Sequence, residues 1–157
     1  MAERDRSASM DRRSFLRTVG AVGVGTALAG CPAGGATSGD HDVGMTTRKF
    51  RPAKLEVPPG TTVVWKNTSS HGHTVTAYED QIPDGADYWA SGDFDSQADA
   101  VEAWNGGFGG RLSQSETFEH TFEVVGTHHY YCVPHEASGM KGRILVTEDA
   151  TPPDETS

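Results

Sequence analysis

The sequence predicts an all-β sandwich domain carrying one insertion with a short helix. Three observations lead there. Short runs rich in β-branched and aromatic residues recur along the chain, separated by Gly, Pro, Asn and Ser. Apolar and polar residues alternate within several of these runs, the period of a half-buried strand. Only one segment, Ser96 to Trp104, reads as a helix.

Residues 1–30 read as an export signal. Arg12 and Arg13 precede an apolar stretch from Val19 to Ala29. That pattern points to the twin-arginine route, an address and not an anchor. The stretch is shorter than the about 20 apolar residues a membrane-spanning helix needs; a short membrane anchor is the alternative. It ends Leu28-Ala29-Gly30-Cys31, which looks like a lipobox. Cys31 is therefore expected to carry lipid, and two acyl chains suffice for stable anchoring. An ordinary signal with Cys31 as bystander is the alternative. Residues 31–41 read as a flexible tether, and residues 148–157 as a disordered acidic tail. Residues 42–147 remain for the domain, enough for a single core.

Within the domain, Lys54 to Val57 alternates and stops at Pro58-Pro59-Gly60. Thr61 to Asn67 is a β-branched run around Trp65, and His73 to Tyr78 forms the next strand. Residues 79–112 break the rhythm and form the insertion. Asp95 or Ser96 caps its helix, with Ala98, Val101 and Trp104 on one face. Trp89, Trp104 and Phe108 read as a small core belonging to the insertion. Thr117 to Val124, His128 to Val133 and Ile144 to Val146 complete the strands.

Net charge is −9 for the whole chain. Residues 31–157 hold eight basic and nineteen acidic side chains, a net of −11. Such an excess favours solubility by self-repulsion and excludes nucleic acid as a partner, since no basic patch is available. There are two cysteines. A Cys31–Cys132 disulfide is the bland pairing in an exported chain. Its weakness is that Cys31 sits at the edge of a signal and Cys132 among soft ligands.

The chemistry concentrates in Cys132-Val133-Pro134-His135 and Met140, with His73 upstream. One thiolate, two imidazoles and one thioether are the donor set of a type 1 copper electron-transfer site. Cys132 ends a strand, His135 and Met140 follow on the same loop, and Gly139 permits the bend between them. His73 must come from a neighbouring strand. Binding needs a deprotonated Cys132 and neutral imidazoles. Pro134 has no N–H to donate to the sulfur. Thr74 can offer its hydroxyl to the Cys132 loop and hold the two segments in register. Both act behind the ligands. His128 and His129 point to opposite faces of a strand, so they do not share an ion. His120 reads as a wall residue beside Phe118 and Phe122.

Phe50-x-Pro52, Pro59-Gly60-Thr61-Thr62-Val63-Val64-Trp65-x-Asn67, His73-Thr74-Val75 and Tyr131-Cys132-x-Pro134-His135-x4-Met140-x-Gly142 together resemble the cupredoxins, specifically the plastocyanin-like halocyanins. The resemblance spans Phe50 to Met140. It implies a Greek-key sandwich with one type 1 copper per chain, held by His73, Cys132, His135 and Met140. It also implies export to the outer face of the cytoplasmic membrane and electron shuttling between membrane redox complexes. The spacing from Trp65 favours His73 over His71 as the ligand, leaving His71 as a loop residue. Tyr131 is a possible electron route or a packed aromatic. A monomer is expected, acting as an electron carrier and not as an enzyme. The rival functions are a copper chaperone or storage protein and a fragment of a copper oxidase or nitrite reductase. The oxidase reading lacks a His beside Cys132 to wire a second copper.

Overall fold

Residues 40–153 are described by a computed structural model. Eight strands form in chain order: β1 (Val43–Met45), β2 (Phe50–Arg51), β3 (Lys54–Val57), β4 (Thr61–Asn67), β5 (Thr76–Ala77), β6 (Thr117–Phe122), β7 (Gly126–Tyr131) and β8 (Lys141–Val146). Helix α1 (Gln97–Gly107) lies between β5 and β6, and 3₁₀ turns span Glu79–Gln81 and Val133–Ser138. One sheet has the order β2-β1-β4-β6 and the other β3-β8-β7-β5, the two layers of a sandwich. Each mixes parallel with antiparallel pairing: β1 runs parallel to β4, and β3 parallel to β8.

The alternation in β4 sets the inner face of its sheet. Val63, Trp65 and Asn67 are buried, while Thr62 is exposed. In β7, His128 and Tyr130 are buried and His129 is half-exposed. Trp65 is the centre of the core, with ring centroids 5.5 Å from Tyr130, 5.6 Å from Trp89 and 5.6 Å from Phe118. Truncating a tryptophan so enclosed costs about 3–5 kcal/mol.

Pairing brings one set of loops to one end. The parallel strands β1 and β4 finish together at Met45 and Asn67, and β6 begins opposite Lys66. In the other sheet β7 finishes at Tyr131 opposite Lys141. His73 exchanges main-chain hydrogen bonds with Leu112 at 3.1 and 2.8 Å. The Thr74 N–H donates to Cys132 Sγ at 3.4 Å, so the end loops of the two sheets are tied.

Several elements differ from expectation. Only Thr76–Ala77 of the expected strand 73–78 pairs as a strand. Its free edge is taken by the insertion: Ser91 N–H donates to Val75 O at 2.7 Å, and Ala77 N–H to Trp89 O at 3.1 Å. Strands β1 and β2 were not anticipated, because two or three residues show no alternation. Ser96 is the helix cap, with Oγ accepting from Asp99 N–H at 3.1 Å. The helix buries Ala100, whereas Ala98 is exposed, so the inward face is displaced from the expected one. Trp89 belongs to the main core and not to a separate one, stacking on His120 at 5.1 Å. Trp104 and Phe108 do touch, at 5.2 Å, with Phe108 exposed. His41, placed in the tether, is half-buried and its Nε2 approaches Gly44.

Candidate metal centre

Strand β7 delivers Cys132. The residue continues the inward face of His128 and Tyr130 and is wholly buried. His73 presents Nδ1 at 3.6 Å from its sulfur, and His135 presents Nδ1 at 3.4 Å. One donor atom from each of the three lies within 4.8 Å of the others. His73 and Cys132 are buried, while His135 is half-buried, so the cluster sits just beneath the surface. The loop then turns back. Gly139 adopts φ 79° and donates its N–H to Glu136 O at 2.9 Å. Met140 follows, fully buried, donating its N–H to His135 O at 3.1 Å. Its carbonyl accepts the Cys132 N–H, also at 3.1 Å. The two imidazoles and the sulfur anticipated from the sequence therefore converge, and Met140 is bonded through its main chain to two of them.

A buried polar network orients His73. Asn67 Nδ2 donates to His71 O at 2.5 Å and to Leu112 O at 3.0 Å. Its Oδ1 accepts the Ser69 N–H at 2.9 Å and the Ser69 hydroxyl at 3.0 Å. With that proton committed, Ser69 Oγ acts as acceptor toward His73 Nε2 at 2.9 Å. Satisfying this network assigns the proton to Nε2 and leaves the Nδ1 lone pair facing the sulfur. Such an outer contact fixes both tautomer and ring orientation of a ligating histidine. Ser69 and Asn67 did not emerge from the sequence as site residues. The Asn-x-Ser turn at the end of β4 is the signal that could have found them.

Thr74 joins the second loop. Its Oγ1 accepts the Val133 N–H at 2.9 Å and the Thr76 hydroxyl at 3.1 Å. Pro134 is exposed on the turn between Cys132 and His135. Burial raises the Cys132 thiol, opposed by hydrogen bonds from Thr74. Burial lowers His73 to about 4, with His135 and His71 adding to the effect. Burial also lowers His135, followed by His71 and Arg48. Both imidazoles are thus kept neutral, the form that ligates a metal.

His71 lies exposed on the loop, its ring 6.5 Å from that of His135. Tyr131 points away from the main core but is buried by the insertion. It stacks on Tyr78 at 4.3 Å and accepts a hydrogen bond from Gln97 Nε2 at 3.1 Å. Tyr78 in turn donates to Glu136, beside His135, at 2.6 Å. The Cys132 thiol is free of disulfide, and Cys31 lies outside the described residues. Among the described residues no helix is long and apolar enough to cross a membrane.

The donor chemistry fits copper. A buried sulfur with two neutral imidazoles is soft, and such ligands select copper over magnesium, calcium or manganese. Among the described residues, no other cluster of His, Cys, Asp and Glu has this metal-holding geometry.

Comparison with known proteins agrees with this geometry. The family model for copper binding proteins of the plastocyanin/azurin family matches residues 37–147. A chloroplastic plastocyanin of Oryza sativa subsp. indica is 32% identical over 145 residues, covering 91% of this chain and 85% of the relative. A plastocyanin of Lactuca sativa is 33% identical over 108 residues, covering 69% and 94%. A reduced amicyanin mutant superposes with a TM-score of 0.50 at 22% identity, covering 73% and 89%, a likeness of fold. With a copper-selective donor set at the end of a β-sandwich and this match across the domain, the chain belongs to the copper-binding plastocyanin/azurin family, as a plastocyanin-like cupredoxin.

Proposed function

We propose that the chain is a one-electron carrier in which His73, Cys132, His135 and Met140 would hold a single type 1 copper. The observation behind this reading is the convergence of one buried sulfur and two imidazole Nδ1 atoms from two separate loops. Copper bound there supplies a Cu(II)/Cu(I) couple. The protein's part is to keep the donors fixed. The Asn67–Ser69 network holds His73, the Thr74–Val133 bond locks one loop to the other, and the Gly139 turn holds Met140. Donors so braced move little on electron gain or loss, which keeps reorganisation small. Half-buried His135 is the edge of the centre nearest solvent, and Tyr131, stacked on Tyr78, offers a second route outward.

Export by the twin-arginine route and a lipid on Cys31 would place the domain, on its tether of residues 31–41, at the outer face of the cytoplasmic membrane. Its partners there would be membrane redox complexes. The copper-loaded, oxidised protein should show an intense visible charge-transfer band from the Cys132 thiolate, lost in Cys132→Ser. A colourless copper complex, or colour that survives the substitution, would refute the reading. Cys31→Ser should release the chain from membranes; retention would favour a transmembrane anchor.

A further inference from the structure

Residues 73–75 carry one of the three converging donors but belong to no strand, since β5 begins only at Thr76. Their N–H groups alternate in direction, as in any extended chain. Those of His73 and Val75 face the insertion, while that of Thr74 faces the Cys132 sulfur. The insertion therefore forms the second edge of this segment. Ser91 lies opposite Val75 and donates its N–H to Val75 O at 2.7 Å. A regular ladder would return the Val75 N–H to the Ser91 carbonyl. Here the Ser91 hydroxyl takes it, at 3.1 Å, and donates its own proton to Gly110 O at 2.7 Å. Ser91 is 3% exposed, so solvent does not replace either bond if the hydroxyl is lost. Two glycines admit the contact. A Cβ at Gly110 (φ 73°) would fall 2.3 Å from Ser91 O, and one at Gly92 (φ 97°) would fall 2.8 Å from Gly110 Cα. The two ends of the loop that carries helix α1 are thus pinned at one crossing.

We infer that Ser91 is a positioning residue of the metal centre: it closes the insertion on the His73 segment and so aims the Thr74 N–H at the Cys132 sulfur. This rests on the electron-carrier reading and gives the insertion a part in it. Thr74 lies between two residues held from the insertion side, His73 by Leu112 and Val75 by Ser91. Freeing Val75 lets the peptide beside it rotate away from the sulfur. Hydrogen bonding around the sulfur tunes the potential of a copper held there. An N–H donated to sulfur draws off electron density and favours the reduced metal, so loosening it lowers the potential. The insertion also reaches the other ligand loop: Gln97 bonds Tyr131, and Tyr78 at its start bonds Glu136. Ser91 differs from these in being buried and in serving two main-chain partners at once.

The test uses the full-length chain with Ser91→Ala and, from the other side of the crossing, Gly110→Ala. Val146→Ala, a core truncation at the far end of β8, is the control. In the copper-free protein, amide exchange followed by NMR should rise about tenfold more at Val75 and Thr74 than at Val63 of β4 in Ser91→Ala. In the copper-loaded protein both variants should shift the visible band and lower the reduction potential, with copper affinity down about tenfold. Val146→Ala should lower the unfolding midpoint yet leave band and potential in place. Exchange at Val75 that rises no more than at Val63, or a band and potential unmoved in Ser91→Ala, overturns the inference. So does an equal shift in Val146→Ala, which would reduce the effect to general loosening. Where a variant does not fold, the wild type decides: a Val75 amide that exchanges rapidly overturns the inference, and one protected as long as Val63 supports it. A wild-type copper complex without the visible band overturns the electron-carrier reading instead, while the exchange pattern still decides the role of Ser91.

Discussion

Ser69→Ala separates the holding of a ligand from the ligand itself. The hydroxyl sits 2.9 Å from His73 Nε2 and 3.0 Å from Asn67 Oδ1. Alanine removes the acceptor for a buried ring N–H and leaves one lone pair of Asn67 without its partner. A buried donor stripped of its acceptor costs about 1–3 kcal/mol. The loss weakens the preference for the tautomer that leaves Nδ1 free. Outer contacts of this kind change metal affinity about 10–100-fold, equivalent to about 1.4–2.8 kcal/mol. Both figures describe one hydrogen bond and agree in size. Competition against a chelator should show copper affinity reduced by that factor in Ser69→Ala and largely retained in Ser69→Thr. ¹⁵N shifts of the His73 ring in the copper-free protein should show Nε2 protonated in the wild type and a mixture in Ser69→Ala. Affinity within twofold of wild type, with the tautomer unchanged, would refute the role assigned to Ser69.

Three further expectations follow from the packing and the site. Gly142→Ala would place a Cβ 2.4 Å from Tyr130 Cζ, against a fully buried ring that cannot retreat. It should destabilise the copper-free protein by about 1–3 kcal/mol in urea unfolding, whereas an unmoved midpoint would mean the ring has room. His120 is lowered to about 4, by burial first and then by His128, with Asp87 opposing. Its folded value lies below the unfolded value of about 6.5, so the unfolded chain binds more protons across that interval. Stability present above about pH 6.5 should therefore be lost as pH falls toward about 4, and less steeply in His120→Gln. Unfolding midpoints of the copper-free protein measured from pH 7 to pH 4 test this, and a flat profile contradicts it. With the Met140 thioether as the proposed fourth donor, Met140→Leu should keep copper but raise the reduction potential by removing a weak ligand; an unchanged voltammogram would mean that Met140 does not bind the copper.

The insertion changes what Tyr131 can do. An exposed aromatic beside Cys132 would meet a partner directly. Here Tyr78 and Gln97 cover it, and the exposed neighbours are acidic. The two sides of the centre thus differ in access: His135 is half-buried at the surface, while Tyr131 lies buried beneath Tyr78 and Gln97.

Local chemistry made much of this protein legible before folding was considered. The alternation through Thr61–Asn67 marks a half-buried strand because a pleat has period two. The Cys132–His135–Met140 spacing suits one loop, since a strand end, a turn through Pro134 and a glycine bend are all short-range. The Ser96 cap and the helix after it are local for the same reason. Other features depend on pairings between residues far apart in the chain. Strands β1 and β2 exist because β4 offers a parallel edge to Val43–Met45, although two or three residues have no pattern of their own. Segment 73–77 bonds to the insertion and departs from its own strand periodicity, through Ser91 and Leu112. Trp89 left the insertion for the main core because Trp65 lies within 5.6 Å of it. The proton on His73 was settled by Asn67 and Ser69, whose hydrogen bonds exist only once β4 and the Leu112 segment have met. Side-chain period and ligand softness are carried by neighbouring residues, whereas burial, tautomer and surface charge arise from groups that only folding brings within reach.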